Sequence, residues 1–516
     1  MFHRARRWLA REARRTAPSF MPSLTGLFFG LFALYALSLP LLSGDLGWHI
    51  RLGDRILESG RVPRLNVFSF TAPWHPWQTH EWLSGVLFAL VDRAGGLPLL
   101  FALRAVLFVS TLALLHRLGR RIGADPLLLA ALMLPTAIAL ALHVSLRPWV
   151  FSNLFLAALL HLSRTWRDHP DRLAVPWLVA VLLGAWINLH GAFIVGLGFS
   201  AWLFVRCFRC KAPGDAAVAM DDRRLNALNA SMVLIGFILT NPFGTDALAL
   251  PLLYMIGDTS TGMALTSSIK EWAPLDMDSF FGRLFVIWLI LGVGAVARRP
   301  RLIGRPEFIF GLVLSVLTIR SQRHFPVAVI FLFPVVAEGL LTLESTANEA
   351  DEHSRQARWR ARWRAFSREE GRGREGFFAL LSLALLLWFG TVARSPKFEE
   401  RALHARAYPM EAIRILGERP AGRLFNYYDW AGILEWRSPS WPLFITPAND
   451  AYPREIFEEW FAIANLEPGW ERRLERWRVD TVLMPTGSAL ASTLRHSPAW
   501  RTLSADERGV LLVRRK

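Results

Sequence analysis

The stretch DLGWHIRLGDRILESGRVP (45–63) comes just after an apolar run, Phe20–Leu42, and its reading decides the fold. At 100° per residue, 45–58 winds into a helix with two unlike sides. Arg51, Asp54, Arg55, Glu58 and Gly47 gather on one side. Leu46, Trp48, Ile50, Leu52, Gly53, Ile56 and Leu57 gather on the other. Asp45 and His49, one turn apart, fall in the middle of the apolar side. A carboxylate and an imidazole turned away from water need partners, because an unpaired buried charge is expensive. The pair is therefore read as functional. The plainer alternative is an Asp that caps the helix and a His bonded to it.

The rest of the chain is a membrane sequence. Hydrophobic residues make up 53% of 516, and several runs approach the ~20 residues that cross a bilayer. Six arginines (Arg4, Arg6, Arg7, Arg11, Arg14, Arg15) precede the first run, and LLSGD follows it without a small-x-small cleavage site. That run is expected to stay as an anchor. The net charge of +17 does not point to nucleic acid, because the basic residues cluster in short loops between apolar spans. Cys207 and Cys210 form a CFRC pair with no second pair to complete a zinc site, and are read as reduced thiols.

Lysine and arginine assign the sides. Segments 1–19, 116–126, 163–173, 206–228, 297–307 and 344–376 are rich in them, whereas the long loop 43–96 holds only Arg51, Arg55, Arg61, Arg64 and Arg93. The amino terminus is expected in the cytosol and 43–96 outside. Spans fall near 20–42, 97–115, 127–143, 150–163, 173–189, 191–206, 229–241, 280–297, 308–319, 326–342 and 377–393, about eleven in all. Residues 80–92 number too few to cross and would invert the charge pattern, so they are read as a second external helix, half-sunk in the membrane surface. The tail from about 394 then lies outside. In it, 424–436, 442–447 and 480–485 read as short buried strands, with amphipathic helices at 455–466 and 471–477. The expected fold class is an α-helical polytopic membrane protein (1–393) with two external juxtamembrane helices and a small C-terminal periplasmic α/β domain (394–516). The basic stretch 344–376 reads as a helix on anionic lipid or as a solvated loop.

On this scheme a set of out-of-place polar residues shares the outer face: Asp45, His49, His80, Glu81, Arg147, Asn188, His190, Lys270, Glu271, Arg320, Arg323 and His324. Carboxylates, cations and histidines together can bind an anionic headgroup and move a proton. Asp45, His49 and Glu81 are the candidates for chemistry, and the others for substrate binding. Each has a plainer use: arginines at span ends snorkel to lipid phosphate, and an acid at a helix start is favoured by the dipole. Arg320, Arg323 and His324, dense in one short loop, point more strongly to phosphate. Asp45 and His49 at i, i+4, with His80, Glu81 or His190, also make a divalent metal a candidate. The outer tryptophans Trp48, Trp74, Trp77 and Trp82 suit an interfacial belt or sugar stacking.

This order of features resembles the GT-C superfamily of membrane glycosyltransferases, such as the protein O-mannosyltransferases and the aminoarabinose transferases of lipid A. Asp45 stands where those chains carry an external acid, Gly60–Arg61–Val62–Pro63 matches their Gly–x–x–Pro stretch, and His80–Glu81–Trp82–Leu83 stands where their second helix opens. Leu46 replaces their common Glu, and no Pro-Pro pair precedes Trp82. The chain is also similar to bacterial proteins carrying D-x-x-W-H-x-x-x-G (45–53), S-F-T (69–71), H-E-W-L (80–83) and N-L-H-G (188–191). The resemblance implies a bacterial inner membrane, a polyprenyl-phosphate sugar donor, inverting transfer and Asp45 as general base. A polysaccharide ligase or polymerase, or a non-catalytic transport or assembly protein, is the alternative. Charges at span ends rather than at the midplane count against a transporter. The sugar, the acceptor and the oligomeric state have no signature in the chain.

Overall fold

The computed structural model describes residues 22–40, 44–169, 171–209, 215–256, 271–341, 355–370, 375–403 and 407–515. The amino-terminal arginines and Lys270 lie outside the described residues, as does Cys210. The chain is mostly helical. Its membrane part runs α1 (Leu24–Ser38), α2 (Leu46–Ser59), α3 (Trp82–Ile122), α4 (Pro126–Leu140), α5 (Trp149–Asp168), α6 (Ala174–Trp186) and α7 (Phe193–Arg209). It continues with α8 (Asp215–Leu239), α9 (Asp246–Ile256), α10 (Phe280–Arg298), α11 (Pro306–Arg320), α12 (Phe325–Leu340), α13 (Arg355–Glu370) and α14 (Glu375–Ala393). Among the described residues four helical stretches are long and apolar enough to cross a bilayer: Trp82–Ile122, Pro126–His143, Phe280–Arg298 and Gln322–Leu340. Helix α9, with Pro251 inside it, has no counterpart among the expected spans.

Helix α2 is the amphipathic helix expected from 45–58. It buries Leu46, Trp48, His49, Ile50, Leu52, Gly53 and Ile56, and ends at Gly60, whose φ of 67° lies in the left-handed region that glycine accepts without strain. Two residues depart from the helical wheel. Leu57 is exposed, and Gly47, placed on the polar side by its angle, is buried against the tail. A Cβ at Gly47 would lie 1.9 Å from the Gly432 carbonyl oxygen, and one at Gly53 would lie 2.1 Å from that of Gly85. Helix α2 is thus clamped on both sides at backbone-to-backbone distance. Helix α3 is broken at Gly95 and Gly96, the latter at φ 57°, so 82–94 is a separate helix before the longer apolar one, as the sequence predicts.

The tail continues with α15 (Phe398–Ala402), α16 (Met410–Gly417), β1 (Leu424–Asn426), α17 (Ala431–Arg437), α18 (Arg454–Ala464), α19 (Trp470–Arg476), β2 (Thr481–Pro485), α20 (Ala489–His496), β3 (Trp500–Ala505) and β4 (Gly509–Arg514). The sheet order is β1-β2-β4-β3, with β1 parallel to β2 and the other pairs antiparallel. Of the expected strand 424–436 only the first three residues are strand. A 3-10 turn, Tyr428–Trp430, and helix α17 follow, and Gly432 of α17 meets α2. The stretch 442–447 contributes only isolated bridges at Leu443, and the β3–β4 pair comes in addition to the expected strands. The tail does not stand apart from the segment between α1 and α3. Trp48, Leu52, Phe68 and Trp77 share one core with Phe425, Phe444, Ile445 and Trp460. Asn66 donates to the Ala451 carbonyl (3.0 Å) and Thr71 to that of Phe444 (2.6 Å). Trp48 and Trp77 are therefore core residues, whereas Trp74 is exposed.

Candidate active site

Two carboxylates organise the polar cluster, one from each end of the segment between α1 and α3. Asp45 stands at the start of α2 but its side chain makes no capping bond. Its Oδ2 lies 3.1 Å from Arg147 Nε, and its Oδ1 accepts from Trp48 Nε1 at 3.4 Å. Arg147 also pairs with Glu271 and lies over the Trp149 ring at 4.9 Å. The expected Asp45–His49 pair does not form. One helical turn carries the imidazole past the carboxylate to a different partner, Glu81.

Glu81 lies at the centre of three imidazoles. His49 Nε2 is 3.4 Å from Oε2, while His190 Nε2 and His80 Nε2 are 3.5 and 3.6 Å from Oε1. Helix α2 brings His49, the turn before α3 brings His80, and the turn between α6 and α7 brings His190. The tautomer of His190 follows from its other side. Trp186 Nε1 donates to Ser152 Oγ (2.7 Å), which lies 2.8 Å from His190 Nδ1, and the Ala192 amide donates to the same nitrogen at 3.3 Å. His190 Nδ1 is thus an acceptor, and its proton sits on Nε2, facing Glu81. His80 is the reverse: its Nδ1 lies 3.2 Å from the Gln78 carbonyl and donates there, leaving the Nε2 lone pair towards Glu81. A neutral Glu81 carboxyl suits this mixture of one donor and one acceptor.

The electrostatics agree. Burial pushes the Glu81 carboxyl up to about 8, with the Asp45 and Asp450 carboxylates adding to it. Burial holds His80 down at about 4 and both His49 and His190 well below their ordinary range. The tail takes part. Asp450 Oδ2 is 3.9 Å from His80 Nδ1, and the Asp429 carbonyl approaches Gly44, next to Asp45. Burial, with the nearby Asp45, raises the Tyr428 phenol above its usual value, and its hydroxyl donates to Asn449 at 2.7 Å.

The remaining candidates divide. Arg323 lies over the Trp272 ring at 4.0 Å, on a loop tied to 271–273 through Ser321 Oγ to the Glu271 carbonyl (3.3 Å) and the Gln322 amide to that of Ala273 (3.0 Å). Its charge depresses His80 and His190, so it faces the cluster. His324 is half-buried beside it. Arg320 is exposed at the end of α11, and no contact among the described residues joins it to the others. The Asn188 side chain is committed to protein: its oxygen accepts from Trp82 Nε1 and Asn241 Nδ2, both at 2.9 Å, and its amide donates to Gly184. It fixes the start of α3 and so the place of Glu81. Among the described residues no group of three His, Cys, Asp or Glu side chains has the arrangement to hold a divalent metal: the imidazoles gather on Glu81 itself, and Asp45 is turned away from them to Arg147.

His143, Ser152 and Asp450 join the site without being candidates in the sequence. His143 stacks on Trp149 at 4.5 Å, with its Nδ1 3.5 Å from Asn153 Oδ1. His143 and Ser152 carry a usable signal, a buried polar residue within an apolar span. Asp450, in a polar tail, carries none.

No family model and no curated protein sequence matches the chain. Among solved structures, the oligosaccharyltransferase AglB from Archaeoglobus fulgidus, in complex with an inhibitory peptide and a dolichol-phosphate, matches with a TM-score of 0.52 at 13% identity, over 89% of this chain and 69% of that one. The apo form of the Archaeoglobus fulgidus enzyme matches at 0.48 and 13%, over 89% and 69%. ArnT from Cupriavidus metallidurans, bound to undecaprenyl phosphate, matches at 0.48 and 14%, over 94% and 97%. The likeness to the archaeal oligosaccharyltransferase is one of fold.

Proposed function

We propose that the chain is a membrane glycosyltransferase that moves a sugar from a polyprenyl-phosphate donor to a hydroxyl acceptor on the outer side of a bacterial inner membrane. The observation that carries the reading is the Asp45–Arg147 pair beside the Glu81 cluster, a carboxylate and a guanidinium 3.1 Å apart, chemically suited to serve as base and phosphate-binding cation. The GT-C fold, and a fold relative solved with dolichol-phosphate, support the class of donor.

In the proposed reaction the acceptor oxygen attacks the anomeric carbon while the bond to the phosphate oxygen breaks, and that oxygen keeps the electron pair. One displacement inverts the carbon. Asp45 takes the acceptor proton as general base. Arg147 exchanges Asp45 for the departing phosphate, which both frees the base and stabilises the growing charge. Arg323, steadied on Trp272, supplies a second guanidinium. Glu81, held by His49, His80 and His190, keeps a neutral carboxyl beside Asp45, so a second negative charge does not oppose the phosphate. Asn188 positions Glu81 rather than touching substrate. The tail, periplasmic in this scheme, closes over the site through Tyr428 and Asp450.

The test is saturable binding of undecaprenyl phosphate to the full chain in lipid nanodiscs, read by native mass spectrometry. The reading expects one lipid per chain and weaker binding in Arg147→Ala and Arg323→Ala. Absence of saturable binding, or equal binding by all three proteins, overturns it.

A further inference from the structure

A second site lies at the other end of the helices from Asp45 and Glu81. A cavity of about 500 Å³ opens between the beginnings of α1, α4 and α14 and the last turns of α3. That volume falls in the range of small-ligand sites. Its walls are apolar, including Phe29, Val109, Ala113, Leu381 and Leu385. Its other end carries His116, Arg117, Arg120 and Glu370. An apolar slot with a cationic end between membrane helices has the shape and charge of an anionic lipid.

The carboxylate at that end is already engaged. Glu370, the last residue of α13, accepts from the Leu24 and Thr25 amides at 2.9 and 2.8 Å and so closes the open start of α1. Ser367 of the same helix donates to Asp125 at 2.7 Å, and Asp125 caps α4. These bonds lay α13 across the ends of α1 and α4. Arg362, Arg364 and Arg368 of α13 are exposed, and Phe366 is 58% exposed. A basic helix showing an aromatic ring beside a cationic slot is what a charged lipid surface meets.

We infer that this cavity holds one acidic phospholipid of the bilayer, its phosphate between Arg117 and Arg120 and an acyl chain along Phe29, Leu381 and Leu385. The inference stands on the cavity and does not use the proposed transfer reaction. The occupant is distinct from the sugar donor, whose phosphate belongs at the Arg147 end.

The full chain, purified in detergent and mixed with equal phosphatidylglycerol and phosphatidylcholine, is to be examined by native mass spectrometry. Wild type retains one phosphatidylglycerol with a preference of about 10-fold or more, the scale of a charged hydrogen bond. In Arg117→Gln/Arg120→Gln the preference falls to about one. Ala113→Trp fills the slot and abolishes retention, and Ala33→Leu is the milder filler should that protein not fold. Excess inorganic phosphate leaves the lipid in place. Unchanged preference in the double arginine variant, retention in the filled variants, or displacement by phosphate each overturns the site. Undecaprenyl phosphate binding, measured in the same proteins, is unaffected, so failure here is distinguishable from failure of the donor reading.

Discussion

Asp45 and Arg147 form an ion pair, Oδ2 to Nε 3.1 Å, that ties the start of α2 to the turn before α5. Arg147 is shared, since it also holds Glu271 and rests on Trp149. A guanidinium between two carboxylates is fixed in place before any substrate arrives, and a phosphate can replace either partner without moving it.

Arg147→Ala should therefore weaken undecaprenyl phosphate binding more than Arg147→Lys does. Loss of a charge-assisted hydrogen bond costs about 1.5–3 kcal/mol, or roughly 10- to 150-fold in affinity. Lysine keeps the charge but not the planar fork. Titration in nanodiscs reads both variants, and equal affinities would leave Arg147 a purely structural link between Asp45 and Glu271.

Glu81 predicts a pH dependence of stability. Its carboxyl is raised from the ordinary 4.5 to about 8, so the folded chain holds a proton that the unfolded chain has lost. The stabilisation is full below 4.5 and is lost as pH rises through about 8. Glu81→Gln keeps the neutral shape at every pH. The melting temperature of the variant minus that of wild type should grow more positive as pH rises across this window. His80 acts in the opposite direction: held at about 4, it adds stability above 6.5 that is lost as pH falls through about 4, and it does so in both proteins. A flat difference between variant and wild type would mean that Glu81 is ionised in the folded chain.

The helix clamps predict a steric contrast. A Cβ at Gly53 meets the Gly85 carbonyl carbon at 2.4 Å and oxygen at 2.1 Å, both backbone atoms, which cannot rotate away. Gly53→Ala should destabilise by about 1–3 kcal/mol or more, and should disturb His49 and Glu81, which this crossing brings together. At Gly417, in helix α16, a Cβ meets nothing within 4 Å, and Gly417→Ala should be neutral or slightly stabilising. Thermal melts of the two variants in detergent check the pair.

How much of this is legible in the sequence depends on the range of the interaction. The amphipathic pattern of 45–58 suffices for α2, because periodicity reports which side meets an apolar surface. It is silent on Gly47, since a close backbone crossing leaves no period. Asp45 and His49 stand out as misplaced polar residues, but their partners do not. Arg147 and Glu81 reach them only through the packing of α2 against α3 and of α3 against α5. The convergence of His49, His80 and His190 on one carboxylate is wholly tertiary. In the tail, 424–436 reads as strand by its apolar run, but its end is helix α17, whose Gly432 lies at backbone distance from Gly47 of α2, a tertiary contact that leaves no period.

Asp45 is expected to be catalytic, and a pair of substitutions separates its role from that of the Glu81 cluster. Asp45→Asn keeps the shape and the contact with Arg147 but cannot accept a proton at neutral pH. General-base catalysis contributes ~10²–10⁴-fold, so turnover should fall by that order while undecaprenyl phosphate binding persists. His49 contacts Glu81 and not Asp45. The effect of His49→Ala should therefore fail to add in free energy to that of Glu81→Gln, as neighbours in one network do. The readout is complementation of a strain lacking the gene, followed by turnover in isolated membranes. A well-folded Asp45→Asn protein with full activity would overturn Asp45 as the base.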